Sequence, residues 1–526
     1  MRLLPINRRT LLVELADLDA VLALHASLNC EPIEGIEELL PAAKTLMVRF
    51  DSARLPVETL AAALEQRDLA ARLPPGPLVE IPVRYDGEDL AEVAALCGLS
   101  IEELIDRHQQ SEYRVGFCGF APGFAYLVGG DPSLHVARRQ TPRTQVPKGS
   151  VALGGPYCGI YPQTTPGGWQ LIGTTSLTLW DPDRTPPALL RAGTRVRFRE
   201  VAEGPAELAP DDAVARRVNA IDLLSTPEQP SAARLTILTA MLPALLQDLG
   251  RVGHAHLGVG ASGAADRDAL QAANRSVGNP VGLPCLEITL GNFSFESSHD
   301  AVIAIVGAVT RISVQSVSGD SREGCMTQPI ALKAGDRVTL GYPERGLRSY
   351  LAVRGGFAVP LTLGSASRDT LAVIGPVPVV KGSVLAIAPS TAKLDLETKK
   401  LVPRDPLPKA GETVVLDVTL GPRADWFTAS ALALLSTQTW LVTPQSSRVG
   451  IRLRGEQHLA RLDAHELPSE GLVCGAIQVP HDGQPVLLLA DHPVTGGYPV
   501  VAVVAEHHLD LAGQIPPGAK IRFAVL

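Results

Sequence analysis

The chain has 526 residues, with 47 Lys+Arg against 55 Asp+Glu for a formal charge of −8, 45% hydrophobic residues and 19% charged ones. That length calls for roughly three or four folding units. The composition excludes global disorder, and a pI near 5.9 argues against a nucleic-acid partner. The 48 glycines and 43 prolines, beside 10 Phe, 4 Trp and 8 Tyr, show no three-residue period. This excludes collagen and low complexity and favours many short strands joined by turns. Seven scattered cysteines without a C-x-x-C argue against a disulfide framework or zinc ribbon. No apolar run approaches the ~20 residues of a membrane span and no h-region precedes Glu14, so a cytoplasmic protein that touches no membrane is expected.

In chain order, Thr10–Leu15 reads as a strand and Asp17–Ser27 as a helix. Thr45–Asp51 is an alternating strand and Pro56–Gln66 a second helix. Two strand–helix units predict a small α/β sandwich over 1–77, ended by the breaker Pro74-Pro75-Gly76-Pro77. Val79–Tyr85 opens a second unit, followed by helices at Asp89–Cys97 and Ile101–Gln110, where Ser100 and Glu103 have capping-box spacing. Glycine-rich strands at Tyr113–Cys118, Ser150–Leu153, Gln170–Thr174, Ser176–Trp180 and Arg195–Glu200 predict a β-barrel over 78–205. Residues 206–232 have linker composition. Strand-and-turn texture resumes over 233–410, with one helix at Ala265–Val277, and 411–526 is again β-dominated. Pro147-Lys-Gly149 before Gly167-Gly168-Trp169 echoes Pro468-Ser-Glu-Gly471 before Gly496-Gly497-Tyr498. The spacers differ, 19 residues from Gly149 to Gly168 against 26 from Gly471 to Gly497. A duplicated barrel and a chance match both account for the echo.

Gly258-Val-Gly260-Ala-Ser-Gly263 fits G-x-G-x-x-G and precedes a helix, with Glu287 downstream as a ribose partner. Its flanks lack βαβ alternation, so a glycine-permitted turn that delivers a helix N-terminus is the better reading. Thr141-Pro-Arg143 through Lys148, followed by Gly167-Gly168-Trp169, offers cations and an aromatic wall for a pocket. The alternative is that the glycine pair turns the chain while Trp169 fills the core. There is no Walker-type phosphate loop, no G-x-S-x-G, no H-E-x-x-H and no Met-Lys-Met biotin site. His254-x-His256 lacks carboxylate or cysteine company for a metal, and His507 and His508 would face opposite ways in a strand.

Tyr113-Arg-Val-Gly-Phe-Cys-Gly119-Phe-Ala-Pro122-Gly123-Phe-Ala-Tyr126-Leu127 and Thr141–Gly173 resemble the allophanate hydrolase subunit 1 family. Leu246–Arg251, Gly260–Pro280, Tyr350–Phe357, Gly364–Thr370, Ser446–Leu453, Ser469–Pro480 and Asp491–Pro499 resemble the subunit 2 family. These families are the paired subunits of bacterial ATP-dependent 5-oxoprolinase, here fused head to tail; urea carboxylase and a sporulation-kinase inhibitor with its antagonist are relatives. The resemblance implies a mainly β fold with a small α/β N-terminal domain and cyclophilin-like β-barrels in both halves. It implies a component that hydrolyses 5-oxo-L-proline to L-glutamate with ATP and Mg, beside a separate LamB/YcsF-like subunit. The chain itself carries no attached biotin and no metal site, and a homo-oligomer is left open. A biotin-dependent carboxyltransferase component and a non-catalytic kinase-binding regulator are the alternatives.

On that footing Arg143 and Lys148 are expected to neutralise a carboxylate or phosphoryl group. Tyr161, Gln163, Gly167, Gly168 and Trp169 would shape the pocket. His108 is the acid–base candidate, its alternative being an exposed histidine at a helix end. In the second half Asp248 joins the catalytic candidates, while Arg251, Arg354, Arg368, Asp369, Arg448, Glu470 and Gln478 would line a matching cleft.

Overall fold

A computed structural model describes residues 1–69, 76–139, 141, 143–202, 233–326, 328–389, 406–463 and 465–526. The expected 206–232 linker lies outside the described residues, as do Pro74, Pro75 and the stretch 398–405.

The N-terminal unit is an antiparallel sheet of β1 (Arg2–Asn7), β2 (Thr10–Glu14), β3 (Ile36–Pro41) and β4 (Thr45–Phe50), ordered β1-β2-β4-β3. Side chains alternate faces along a strand, and both faces here are apolar. Leu11, Val13, Leu46 and Val48 meet helices α1 (Leu18–Cys30) and α2 (Val57–Glu65). Leu12, Leu40 and Met47 pack on Leu472, Leu488 and Val494 of the C-terminal unit. The Asp17 carboxylate caps α1 by accepting from Ala20 N at 2.9 Å.

The second unit contains β5 (Leu78–Val83), α3 (Leu90–Cys97), α4 (Ile101–Gln110), β6 (Tyr113–Cys118), β7 (Ala125–Val128), β8 (Arg143–Val146), β9 (Ser150–Gly154), β10 (Tyr157–Ile160), β11 (Thr165–Gly167), β12 (Gln170–Thr174) and β13 (Arg195–Glu200). The strand order is β5-β13-β6-β7-β10-β9-β12, with β8 and β11 forming a separate two-stranded ribbon. A bridge from Arg84 to Thr174 brings β12 back beside β5. The capping box of Ser100 and Glu103 is formed. Ser176–Trp180, expected as a strand, makes a single bridge from Trp180 to Ala188. The Arg184 guanidinium also binds the carbonyls of Thr178 and Leu179, at 3.1 and 2.9 Å, and Leu179 O accepts from Leu189 N at 2.8 Å.

The middle unit is a nine-stranded antiparallel sheet: β14 (Arg234–Ala240), β15 (Leu245–Gln247), β16 (Cys285–Thr289), β17 (Phe293–Ser297), β18 (Ala301–Gln315), β19 (Ser321–Gly324), β20 (Ile330–Leu332), β21 (Arg337–Val353) and β22 (Val384–Ala386). Helix α5 (Arg267–Ser276) lies on its β18 and β21 side through Leu270 and Ala273.

The last unit is a closed barrel of β23 (Thr413–Leu420), β24 (Trp440–Val442), β25 (Gly450–Arg454), β27 (Ala476–Gln478), β28 (Val486–Leu488), β30 (Val500–Val504) and β31 (Lys520–Val525). Alongside it run a ribbon of β26 (Glu470–Gly471) with β29 (Thr495–Gly496) and helix α6 (Ala429–Thr437), which Thr428 caps. Its order is β23-β31-β24-β25-β28-β27-β30. This repeats the second unit strand for strand, down to the parallel first and last strands and a ribbon between equivalent strands. The Gly149/Gly471 echo is therefore the trace of one fold used twice.

After the first strand of each barrel the chain runs against a neighbouring strand. A Cβ on Gly87 would overlap the backbone of Leu171 and Ile172, and one on Gly421 that of Val500. Gly87→Ala and Gly421→Ala are each expected to destabilise the chain by about 1–3 kcal/mol through overpacking, read as a lower midpoint of thermal unfolding. An unchanged midpoint in either variant would remove the equivalence of the two approaches.

Candidate functional site

Four loops converge between the middle unit and the barrels: Gly119–Gly123, Gly258–Gly263, Thr362–Gly375 and Asp491–Gly497. Phe120 N donates to Thr495 Oγ1 at 3.2 Å, and Gly123 N donates to Leu257 O at 3.0 Å. Ser262 Oγ donates to Asp491 Oδ1 at 2.6 Å, and Thr370 donates through N and Oγ1 to Asp491 Oδ2 at 3.0 and 2.7 Å. Phe120, Ser262, Leu363 and Val373, all in these loops, have φ of 65°, 53°, 53° and 58°. Non-glycine residues in that region are costly, a β-branched valine most of all. Such strain persists where surroundings impose it, and it concentrates at functional sites.

Arg448 holds the junction together. Its guanidinium binds Asp491 with two parallel bonds of 2.9 Å, Glu287 Oε1 at 2.6 Å and Gly263 O at 2.5 Å. Glu287 also accepts from Tyr350 Oη at 2.8 Å and lies 3.4 Å from Arg348. All these side chains are buried. Burial alone would raise the Glu287 and Asp491 carboxyls. The adjacent arginines, Arg448 foremost, outweigh it and hold both below the usual range.

Asp369 sits in the same junction with the opposite balance. Its Oδ1 accepts from Leu371 N and Ala372 N at 2.9 and 2.8 Å, and its Oδ2 would lie 3.6 Å from a Cβ at Gly260. Burial, then the negative charge of Asp491, lift its carboxyl to about 7. Arg251 lies near enough to oppose that rise. Its Nη1 is buried without a partner, while its other nitrogens reach the carbonyls of Ser367 and Thr362. Asp248 is fully used inside the junction, accepting from the hydroxyls of Ser365 and Ser367 at 2.6 and 2.5 Å and from Ala366 N at 2.7 Å. Arg368 bonds to Gly375 O at 3.1 Å. A carboxyl that titrates near 7 beside an unsatisfied guanidinium can hand a proton to a polar group placed between them when protonated, and take one from it when ionised.

The glycine motif delivers a helix N-terminus, and an internal acid occupies it. Arg267 N and Asp268 N donate to the Asp510 carboxylate at 2.8 and 3.2 Å, while Asp266 accepts from Ala269 N at 2.9 Å. Glu287 binds Arg448 rather than a ribose.

In the first barrel, Arg143 donates to Asp89 at 2.7 Å and to Glu88 at 3.2 Å, and Arg139 shares Asp89 at 2.8 Å. Its charge is thus spent on the chain's own acids. Lys148 has no acidic partner among the described residues. Tyr161 and Trp169 are buried in an aromatic cluster with Phe124, and Arg138 lies 5.8 Å from the Trp169 ring centre. Gly167 lies directly against Tyr161 Oη, Gly168 O accepts from Arg139 N at 2.8 Å, and Gln163 is half-buried on the ribbon's loop. His108, expected to act as an acid–base or to lie exposed, is 0% exposed. It is bonded to Tyr85 Oη at 2.7 Å and Cys158 Sγ at 3.4 Å and stacked on Phe198. Burial takes it down to about 3, so it stays neutral in the barrel core.

Of the remaining candidates, Glu470 and Gln478 lie beside Gly496 at the end of the Asp491–Gly497 loop. Arg354 donates to Val277 O at the end of α5, at 3.0 Å. Gln478 donates to Tyr498 O at 3.0 Å. Glu470 pairs with Arg423, which also binds Glu14 at 2.7 Å. His507 and His508 lie in a short turn rather than a strand, both near Asp417. The His508 Nδ1 lone pair is taken by Asp417 N at 2.8 Å, which removes it as a metal ligand. Sequence reasoning missed Ser262, Thr370, Asp491 and Thr495, whose only signal was membership of the glycine-rich stretches, and Arg348, which lay outside them.

Residues 1–190 match the family model described as carboxyltransferase domain, subdomain C and D, and residues 257–525 that described as subdomain A and B. The chain is 36% identical over 296 residues to the C-type subunit of 5-oxoprolinase from Escherichia coli (strain K12), spanning 55% of this chain and 90% of that protein. It is 41% identical over 197 residues to the B-type subunit of 5-oxoprolinase from Bacillus subtilis (strain 168), spanning 34% and 82%. The crystal structure of TTHA0988 superposes with a TM-score of 0.83 at 35% identity, covering 98% of this chain and 99% of that one.

Asp491→Asn strips Arg448 of its two-bond partner, and a loss of about 3–5 kcal/mol is expected from the charge left buried, measured by denaturant unfolding at pH 7. Asp369 sets a pH slope of the opposite kind. Its folded value near 7 lies above the ordinary 3.8, so its contribution is complete below about pH 4 and is lost as pH rises through 7. Asp369→Asn should therefore gain on the parent between pH 4 and 7 and keep a constant lead above. Parallel stability curves would refute the assignment.

Proposed function

The chain belongs to the carboxyltransferase-domain family, carrying subdomains C and D ahead of A and B, and we propose that it supplies the B-type and C-type components of an ATP-dependent 5-oxoprolinase in one polypeptide. In this reading it hydrolyses 5-oxo-L-proline to L-glutamate together with a separate LamB/YcsF-like subunit. The observation that carries the proposal is the fusion: relatives named as two subunits of one enzyme match one chain, and the two barrels are locked face to face by loops from both.

A lactam is a poor electrophile, so its oxygen must be activated before water can attack the ring carbon; ATP supplies that activation. The proposed work of this chain is to bind and to move protons. Asp369, whose carboxyl is lifted to about 7, takes a proton from the attacking water in its ionised form and then hands that proton to the departing ring nitrogen, and the free Nη1 of Arg251 orients the polar group between them. Lys148, at the rim of the first-barrel ribbon, meets the substrate carboxylate. Arg143 positions that ribbon through Asp89.

The nucleotide is better placed on the third subunit. Arg143, Arg348, Arg423 and Arg448 are each bonded to internal acids or carbonyls, so these four are not free to cradle a triphosphate with its Mg.

Reconstitution with the candidate third subunit should give ATP-dependent glutamate release from 5-oxoproline, with none from this chain alone. Asp369→Asn should lower kcat at least 100-fold. Lys148→Ala should raise KM with an unchanged unfolding midpoint, whereas Arg143→Ala should lower the midpoint as well. Carboxylation of urea with a biotin carrier, and no glutamate release, would overturn the reading in favour of carboxyl transfer.

A further inference from the structure

Away from the loop junction, a cavity of about 580 Å³ opens where α1 and β3 face the Arg191–Thr194 turn of the first barrel and the Gly253–His256 stretch of the middle unit. That size suits a small ligand. Leu28, Ile33, Ile36, Leu39 and Pro77 give it an apolar wall.

Its charged groups are unequally matched. Glu37 is held by Arg9 and Arg49, at 2.9 and 3.0 Å. Glu38 Oε1 accepts from Gly253 N and Ala255 N, both at 3.0 Å, which ties the N-terminal unit to the middle one. Arg191 differs: its backbone N donates to Thr194 Oγ1, while its guanidinium has no acidic partner among the described residues. The two histidines of the cavity add no competing charge at neutral pH. Burial, then His256, takes His25 down to about 4, and desolvation with the neighbouring His254 lowers His256.

The cavity therefore presents one unmatched cation, two neutral imidazoles able to donate or accept, and an apolar floor. A cationic ligand would face Arg191 and find both carboxylates already engaged. A polyphosphate would bring several charges to a single guanidinium beside Glu37 and Glu38. We infer that this cavity binds a small organic monocarboxylate, its carboxylate on Arg191 and His256 and its apolar body against Ile33, Ile36 and Leu39. None of these residues belongs to the loop junction, so the inference stands apart from the oxoprolinase reading.

Calorimetric titration of the full chain at pH 7 with 4-methylpentanoate, and with the uncharged isostere 4-methylpentanamide, tests it. Saturable binding of the acid is expected, with the amide at least tenfold weaker, since only the acid forms charge-assisted hydrogen bonds to a guanidinium. Arg191→Ala should weaken the acid at least tenfold and leave the amide unchanged; Arg191 is exposed, and an unchanged unfolding midpoint checks that the variant is folded. His256→Ala should weaken the acid in the same direction. Absence of saturable acid binding up to about 10 mM, equal affinity for acid and amide, or acid binding untouched by Arg191→Ala would each overturn the assignment.

Discussion

The buried guanidinium of Arg448 is the contact on which the rest of the junction depends. It belongs to the second barrel, yet its partners come from two units: Asp491 from its own barrel, Glu287 and the Gly263 carbonyl from the middle sheet. Asp491 in turn fixes Ser262 and Thr370, one on each of two strained loops. A buried ion pair is a weak source of net stability, because desolvation offsets most of its attraction. Its value here is geometric. Five donors in a rigid plane admit one arrangement of three acceptors, and that arrangement sets the loops at a defined distance.

The same fold used twice explains where this junction lies and why it is asymmetric. In each barrel a charged residue just past the first strand reaches the ribbon: Asp89 binds Arg143 in one, Arg423 binds Glu470 in the other. The positions correspond and the signs are exchanged. Exchange keeps the pair attractive while reversing the charge that each ribbon carries. Arg143 on the first ribbon is thus matched by Asp89 and Glu470 on the second by Arg423, while Lys148, just past the first ribbon strand, has no acidic partner among the described residues.

Much of the fold was legible in the sequence because local signals agreed with tertiary ones. Tyr113–Cys118, Gln170–Thr174, Arg195–Glu200 and Ile101–Gln110 have the bounds that alternation and capping predict. Arg2–Asn7 and Ile36–Pro41 were invisible because a proline and adjacent glutamates hide strands whose apolar faces are satisfied by distant partners, Leu472 and Val494 among them. The site was half legible. Glycine-rich stretches pointed to the loops that meet in this junction, and Asp248, Arg251, Arg368, Asp369 and Arg448 gather there. What a linear reading lacks is which charge is already matched. Arg143 looked free and is bound to Asp89, 54 residues earlier; His108 looked like an acid–base group or an exposed helix end and is sealed by Phe198.

That matching can be counted along the junction, and the count explains its chemistry. Four buried arginines, Arg251, Arg348, Arg368 and Arg448, stand with five buried acids, Asp248, Asp266, Glu287, Asp369 and Asp491. In a low-dielectric seam an unmatched charge is expensive, so one acid is pushed towards its protonated form. Glu287 and Asp491 are excluded because Arg448 binds both directly. Asp248 meets four hydrogen-bond donors, the hydroxyls of Ser365 and Ser367 and the amides of Ala366 and Gly250, and Asp266 accepts from Ala269 N and from Gln514 Nε2 at 2.8 Å. Asp369 accepts only two backbone bonds on a single oxygen and lies beside the ionised Asp491, so the surplus falls on it. The proton at the centre of the proposed reaction is therefore fixed by the charge balance of the whole seam rather than by any one neighbour, and a change in any of the other eight groups should be felt at Asp369.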